Sequence, residues 1–488
     1  MVKLGREDLA DRCYFQMRER CVRHARWSHS AKVELADCKI TSGRNWEDEG
    51  GGISEHGQEE VCADLTMSAE GIASIVRRMD GWLESMRHLK GYGGPVVHWW
   101  RDCLGFTGPG LDWRYEGIIL GYLHLFKATG RPVWLDKASR AGNDLVEGQL
   151  SNGRYRNSSF ELNPQAGGNP HEAACDLGLF YLAREMRRLG RSVWEEYYLA
   201  ADRNLQAYIL GALWDPENCF FRNSPDDETF VPNKAATIVE ALMAWKRLNG
   251  ESDVLERFVI PTLDKILACQ VRDQDRRFEG AIDQGWLGRQ SLGRYFPFYI
   301  ARCIPALIEG FQCTGYERYR QAARLAMRFL IRHRLEDGSF PQVIYRNGRI
   351  NRYPQWIAGV GDVLRAMDLM EDEGMYVSTN TTQCWLLSGL LPNGAIRTAN
   401  GFGSYWSQRT PSGPDLRDLM PVCGWVDKAF RYLTRKVKGD FGGVMRQIPS
   451  IEMDCRFRGQ QVLYRETNKN IECWEQNQLL YHWKKGEN

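Results

Sequence analysis

The chain has 488 residues, 43% hydrophobic and 26% charged, the composition of a folded globular protein large enough for one big domain or two to three smaller ones. Its 64 basic and 62 acidic residues leave a net charge of +2, which excludes the broad electrostatic footprint of a nucleic-acid- or membrane-binding surface and leaves room for a local basic patch. No apolar run reaches the ~18 residues of a membrane span, and the first eight residues carry no apolar signal core, so the expected location is the cytoplasm.

In chain order, Asp11–Arg26 reads as a helix with Tyr14, Met17, Cys21 and Val22 on one face. Residues 41–60, with five glycines among acidic residues, read as a loop. Cys62–Leu89 is helical again, and Gly91–Gly110 is a connector containing His98-Trp99-Trp100. From Leu111 the pattern changes. Tyr115, Ile118, Ile119, Tyr122, Leu125 and Phe126 form the apolar stripe of one helix, which stops at Gly130-Arg131-Pro132. A second helix is expected over about Val133–Leu150, followed by Gly153-Arg154-Tyr155.

This unit repeats. Similar segments recur at Gly153, Asn218, Arg277, Gly338 and Gly394, in steps of 65, 59, 61 and 56 residues. A period near 60 exceeds the ~34–47 of common helical solenoids and suits two helices plus a long loop. First helices are expected at Ala173–Leu189, Asn233–Leu248, Tyr295–Phe311 and Ile357–Met370, and a second helix at Tyr316–His333. Residues 395–475 lean toward short strands and loops, either a small β cap or a sixth hairpin with long insertions. The expected division is 1–110, N-terminal helices and a Gly-rich loop packing on the core; 111–394, the helical-hairpin core; and 395–488, an extension completing or capping it.

Hairpins of this length, with Asp136-Lys137-Ala138 after Gly130-Arg131-Pro132 and Tyr316-Glu317-Arg318-Tyr319 after Thr314-Gly315, resemble the α/α-toroid, or (α/α)6-barrel, superfamily over much of residues 111–400. Its members include unsaturated glucuronyl hydrolases, polysaccharide lyases, sugar epimerases and terpene cyclases. The resemblance implies an all-α toroid of repeated hairpins with a small irregular or β-containing C-terminal part. It also implies a carbohydrate-active enzyme, first of all a glycoside hydrolase acting on an oligosaccharide or a uronic-acid-containing sugar. A uronate lyase or epimerase, a terpene-cyclase-like enzyme and a non-catalytic binding toroid remain open.

A sugar site needs aromatic faces and groups that move protons or neutralise acids. Four clusters at hairpin ends offer them. In the first, Asp112 and Arg114 suit an acid/base and an anion clamp beside Trp113, with Trp100 upstream; Asp112 as an N-cap and Glu116 as a first-turn dipole partner is the plainer reading. In the second, His171 precedes Glu172 and Asp176, two carboxylates one turn apart that suit a raised-pKa acid or ordinary first-turn charges. The third places Asp283 with Trp286 and Arg289, against a polar loop around a buried indole. The fourth holds Arg346, Arg352, Tyr353 and Trp356, an arginine clamp with a tyrosine base, against surface arginines. Catalysis is assigned to Asp112, His171, Glu172 and Asp283, and substrate binding to Trp100, Trp113, Arg114, Trp286, Arg289, Arg346, Tyr353 and Trp356.

Phosphate-loop, nucleophile-elbow, zinc-protease and EF-hand patterns are missing from the sequence. Asp226-Asp227-Glu228 reads as a solvated loop rather than a cyclase acid run. The 14 cysteines contain no C-x-x-C pair and read mostly as small buried hydrophobes. No cofactor or metal is expected, and the partner is a small-molecule or oligosaccharide substrate, not nucleic acid or membrane.

Overall fold

A computed structural model describes residues 69–95, 106–107, 109–156, 158, 171–250, 253–272, 276–287, 290–439, 444–445 and 447–486. The readings placed on 1–68, on His98 to Trp100 and on Arg289 fall outside them.

The chain alternates between outer and inner helices. It begins with outer α1 (Ala69–Ser85), then inner α2 (Arg114–Thr129) and outer α3 (Pro132–Glu147). Inner α4 (Glu172–Arg188) is followed by outer α5 (Trp194–Asn204), which continues as a π-helix over Leu205–Leu213. Inner α6 (Pro232–Asn249) pairs with outer α7 (Ile260–Ala268), inner α8 (Pro297–Thr314) with α9 (Glu317–His333), and inner α10 (Gly361–Asp372) with α11 (Asn380–Ser388). The short α12 (Leu416–Leu419) leads to α13 (Cys423–Thr434). Proline at the first position opens α3, α6 and α8, where no amide donor is needed, and glycine follows the ends of α2, α6 and α8.

Packing turns this alternation into a closed ring. The inner helices touch in the order α2, α4, α6, α8, α10, α13, and α13 returns to α2. Outer helices α3, α5, α7, α9 and α11 back the first five, and α1 backs α13. The sixth pair therefore joins the first described helix to the last, giving six inner and six outer helices among the described residues. Almost every buried apolar side chain belongs to one continuous core between the two rings. The fold is an (α/α)6 toroid, as the resemblance to that superfamily implies.

The second helix of the first hairpin ends at Glu147, three residues short of expectation, because Gly148 packs on Leu111 and Gln149 pairs with Tyr155 in a tight turn. Asp227 opens a short strand rather than lying free, since its carboxylate accepts from Asn223 Nδ2 at 2.6 Å and the Thr229 amide at 3.0 Å. Beyond the ring, Ile451–Phe457, Gln460–Glu466, Asn470–Glu475 and Gln478–Lys484 form an antiparallel meander in sequence order. It docks on α1 through Glu466, which accepts from Trp82 Nε1 at 2.8 Å and pairs with Lys485 Nζ at 2.6 Å, both charges fully buried. The nine described cysteines are free, six of them buried. No described helix is long and apolar enough to cross a membrane.

Candidate functional site

Alternation in a toroid brings the N-terminal ends of the inner helices, and the loops leading into them, to one mouth. Short strands stitch these loops together. Trp214–Asp215, Phe220–Ser224, Asp227–Phe230, Trp286–Leu287 and Gln290–Ser291 form one sheet before α6 and α8, and Arg294–Tyr295, Val343–Tyr345 and Ile350–Asn351 form another before α8 and α10.

Aromatic side chains link five of the six inner-helix starts. The imidazole of His171, just before α4, meets the indole of Trp113, just before α2, edge-on at 4.8 Å. Trp113 Nε1 donates to the Gly424 carbonyl in the first turn of α13 at 2.8 Å. Trp425 then stacks on Trp356 at 4.6 Å, and Trp356 meets Phe298 of α8 edge-on at 6.4 Å. Trp113 and Ala174 form a small cluster apart from the main core, as do Phe296, Val343 and Tyr345. Such separation is what a surface facing the lumen, rather than the space between the rings, would give.

Below the aromatics lies a floor of buried charge. Glu116 of α2 receives Arg302 of α8 at 2.8 Å and Arg431 of α13 at closer range, with Arg365 of α10 at 3.7 Å. Glu240 of α6 pairs with Arg302 at 3.1 Å and with Arg365, and Asp362 of α10 pairs with Arg431. Burial alone would push the Glu116 carboxyl up, but the three guanidiniums outweigh it and hold it far below the usual range. One turn above Arg431, Asp427 is fully buried, and its carboxyl is pushed up to about 7 by burial despite Lys428 Nζ at 2.7 Å. Sequence reasoning missed all of these except Glu116, which it read as a dipole partner. A signal existed: Glu240 and Arg302 interrupt otherwise apolar helix runs, Ile238-Val239-Glu240-Ala241-Leu242 and Ile300-Ala301-Arg302-Cys303-Ile304.

The first two sequence-derived clusters come together. Asp112 is fully buried and holds Arg114 bidentately, Nε at 2.7 Å and Nη2 at 2.9 Å, while Arg114 Nη1 donates to the Tyr92 carbonyl at 2.8 Å. Cys175 Sγ of α4 donates to the Asp112 carbonyl at 3.1 Å. His171 is half-buried beside Trp113. Glu172 is fully buried and accepts from Asn204 Nδ2 at 2.5 Å and from Ser158. Asp176 accepts from Tyr155 at 2.8 Å; burial, reinforced by Glu172 and Asp202, pushes its carboxyl well up. These two carboxylates thus face the outer ring.

The third and fourth clusters meet through Gly293. Asp283, nearly buried, accepts from the Gly293 amide at 2.8 Å, the Gly285 amide at 3.2 Å and Ser291, and burial raises its carboxyl even so. The Gly293 carbonyl accepts from the Arg346 amide at 3.0 Å. The Arg346 side chain is exposed, Trp286 is half-buried, and Tyr353 and Trp356 are buried. Trp100 and Arg289 lie outside the described residues. Among the described residues, no three His, Cys, Asp or Glu side chains are grouped to hold a metal ion.

No protein-family model matches the sequence, and no curated protein does. Solved structures do match in fold. The cellobiose 2-epimerase from Bacillus thermoamylovorans superimposes with a TM-score of 0.54 at 12% identity, covering 72% of this chain and 94% of that one. An α-1,6-mannanase from Salegentibacter gives 0.51 at 11% identity, over 76% and 99%. A possible member of the GH105 family from Klebsiella pneumoniae gives 0.53 at 12%, over 83% and 99%. All are α/α-toroids. At such identities the likeness establishes the shared fold, with this chain spanning nearly the whole of each.

Proposed function

We propose that this chain is a carbohydrate-active enzyme, in the first place a glycoside hydrolase, with its site at the toroid mouth. The observation that carries this reading is the belt of Trp113, His171, Trp425 and Trp356 over a floor of buried arginines and carboxylates. Indole faces suit the apolar faces of sugar rings, and fixed charges beneath suit a site where charge develops during reaction. The toroids of similar fold, by name a cellobiose 2-epimerase, an α-1,6-mannanase and a possible member of the GH105 family, support the same substrate class.

His171 is assigned the proton-transfer role and Trp113 a face of the sugar platform. Asp112, Glu172 and Asp283 are assigned the holding of backbone and neighbours, since their oxygens already accept hydrogen bonds inside the protein. A second reading is favoured by one observation. The His171 imidazole is a titratable group set against the belt, and a base beside a sugar carbon suits epimerisation or isomerisation as well as bond cleavage.

Mass analysis of products from neutral and uronate oligosaccharides separates the two. Hydrolysis adds one water per bond broken; epimerisation leaves mass unchanged and alters chromatographic retention. His171→Asn should lower turnover about 100-fold or more in either case, with the melting temperature unchanged. Full activity in that variant would remove His171 from the chemistry. Silence of the native protein across both panels would remove the carbohydrate reading for those sugars.

A further inference from the structure

The loops entering α8, α10 and α13 form one continuous rim. Arg294 and Tyr345 pair across two of them, and Gln355 pairs with Asn400 across the next. Gln408 locks the third in place: its Oε1 accepts from the Arg352 and Tyr353 amides at 2.6 and 3.1 Å, and its Nε2 donates to the Tyr353 and Tyr405 carbonyls at 3.2 and 2.6 Å. A rim this well fixed presents its outward side chains in set positions.

Those side chains are basic. Arg346, Arg352 and Arg409 are exposed, and Trp406, in the same loop as Arg409, keeps 52% of its surface in solvent. Arg352 has an acidic neighbour in Asp337, at a loose 3.9 Å. Among the described residues neither Arg346 nor Arg409 has a carboxylate within ion-pair distance. The carboxylates nearby in sequence are committed: Asp415 holds Arg417 at 2.7 Å, and Asp283 is bonded to backbone. Asp226 and Glu228 belong to the hairpin before α6 instead, so the rim is basic on one side and acidic on another.

We infer that this basic rim grips an acidic glycan, the anionic groups of the polymer bridging to Arg346, Arg352 and Arg409 while a sugar ring lies on Trp406. The inference rests on the carbohydrate reading of the mouth and names its substrate class. Guanidinium forks match carboxylate and sulfate oxygens, and an exposed indole beside them supplies the apolar contact that a sugar offers and a bare anion does not. With a net charge of only +2, the chain as a whole has no long-range field for nucleic acid; the positive charge is local and lies beside the indole-lined mouth.

The test is calorimetric binding of the full chain to polygalacturonate, a sulfated glycan, manno- and cello-oligosaccharides of matched length, and duplex DNA, at low and high salt. An acidic glycan is expected to bind at least about tenfold tighter than its neutral counterpart, weakening with salt. Polyuronate against sulfated glycan identifies which anion is preferred, and either supports the grip. The double variant Arg346→Ala, Arg409→Ala should lose about tenfold for the acidic glycan and nothing for the neutral ones, and Trp406→Ala should weaken glycans more than DNA. Equal binding of acidic and neutral glycans, no loss in the double variant, or DNA bound as tightly as polyuronate would overturn it. If neutral sugars are bound and turned over while the double variant behaves as native, the grip fails and the carbohydrate reading stands. If no glycan binds, both fail.

Discussion

Asp112 and Arg114 form a bidentate pair with both side chains out of water, so removing one charge strands the other. Asp112→Asn is expected to cost about 3 kcal/mol of stability, read by urea unfolding, while activity per folded molecule stays near native. Loss of activity in fully folded protein would return Asp112 to the chemistry. Asp427 makes a pH prediction. It sits among Lys428, Arg431, Asp362 and the backbone of Gly117, and its folded pKa of about 7 lies above the ordinary 3.8. A raised carboxyl favours the folded state when protonated, so its contribution is complete below about pH 4 and is lost as pH rises through 7. Asp427→Asn, neutral throughout, should flatten that slope; the native-minus-variant difference in unfolding free energy should change by about 4 kcal/mol between pH 4 and 7.5. A constant difference across that range would show that Asp427 is ionised in the folded protein throughout.

Three of the five copies of the recurring segment, those after α3, α9 and α11, share one device. Asn152, Asp337 and Asn393 each accept the amide two residues on, at 3.1, 3.0 and 3.1 Å, and the glycine between them takes a left-handed φ of 84°, 81° and 89°. Glycine is required there twice over. A Cβ on Gly338 would lie 2.1 Å from the Thr381 carbonyl oxygen of α11, and one on Gly394 would lie 2.2 Å from the Arg78 carbonyl oxygen of α1. Each turn thus seats on the next outer helix, and the last seats on the first. Gly338→Ala should cost about 3 kcal/mol or more, combining left-handed strain with a backbone overlap; a change below about 1 kcal/mol in urea unfolding would mean that the turn shifts freely. At these three copies the device was legible because it needs Asx-Gly; the copies at Asn218-Cys219 and Glu279-Gly280 keep the spacing without that pair. At the same scale, Trp113, His171 and Trp356 stand out because they lie just outside apolar stripes, and the ring gathers them at the inner-helix starts. Asp112, Glu172 and Asp283 were chosen by the same rule, but junctions between loops and helices also select acids that staple backbone, and spacing cannot separate the two uses. Arg302, Glu240, Arg365 and Arg431 were not legible as a group, since a lone charge in a helix reads as a solvated face until the ring places them together.

Closure of the ring was half legible. The resemblance of the hairpins to toroid proteins implied a ring, but the partner of α13 is α1, more than 300 residues away, and no local pattern announces that pairing. What unites the closed ring is long-range chemistry at its axis. Glu116 binds arginines from α8 and α13, Glu240 binds arginines from α8 and α10, and Asp362 ties α10 to α13. Five of six inner helices therefore share one network, and Glu116 is its most connected carboxylate. Glu116→Gln keeps the shape and removes the charge, leaving the buried guanidiniums of Arg302 and Arg431 short of compensation; about 3–5 kcal/mol should be lost. The pattern of the loss tells more than its size. If the network holds the ring as a unit, amide hydrogen exchange should accelerate together on α2, α6, α8, α10 and α13, and on α1 through its packing against α13. If the apolar core between the rings suffices, faster exchange should stay within α2, and the axis charges would then be better understood as the preorganised floor of the mouth than as the fastening of the toroid.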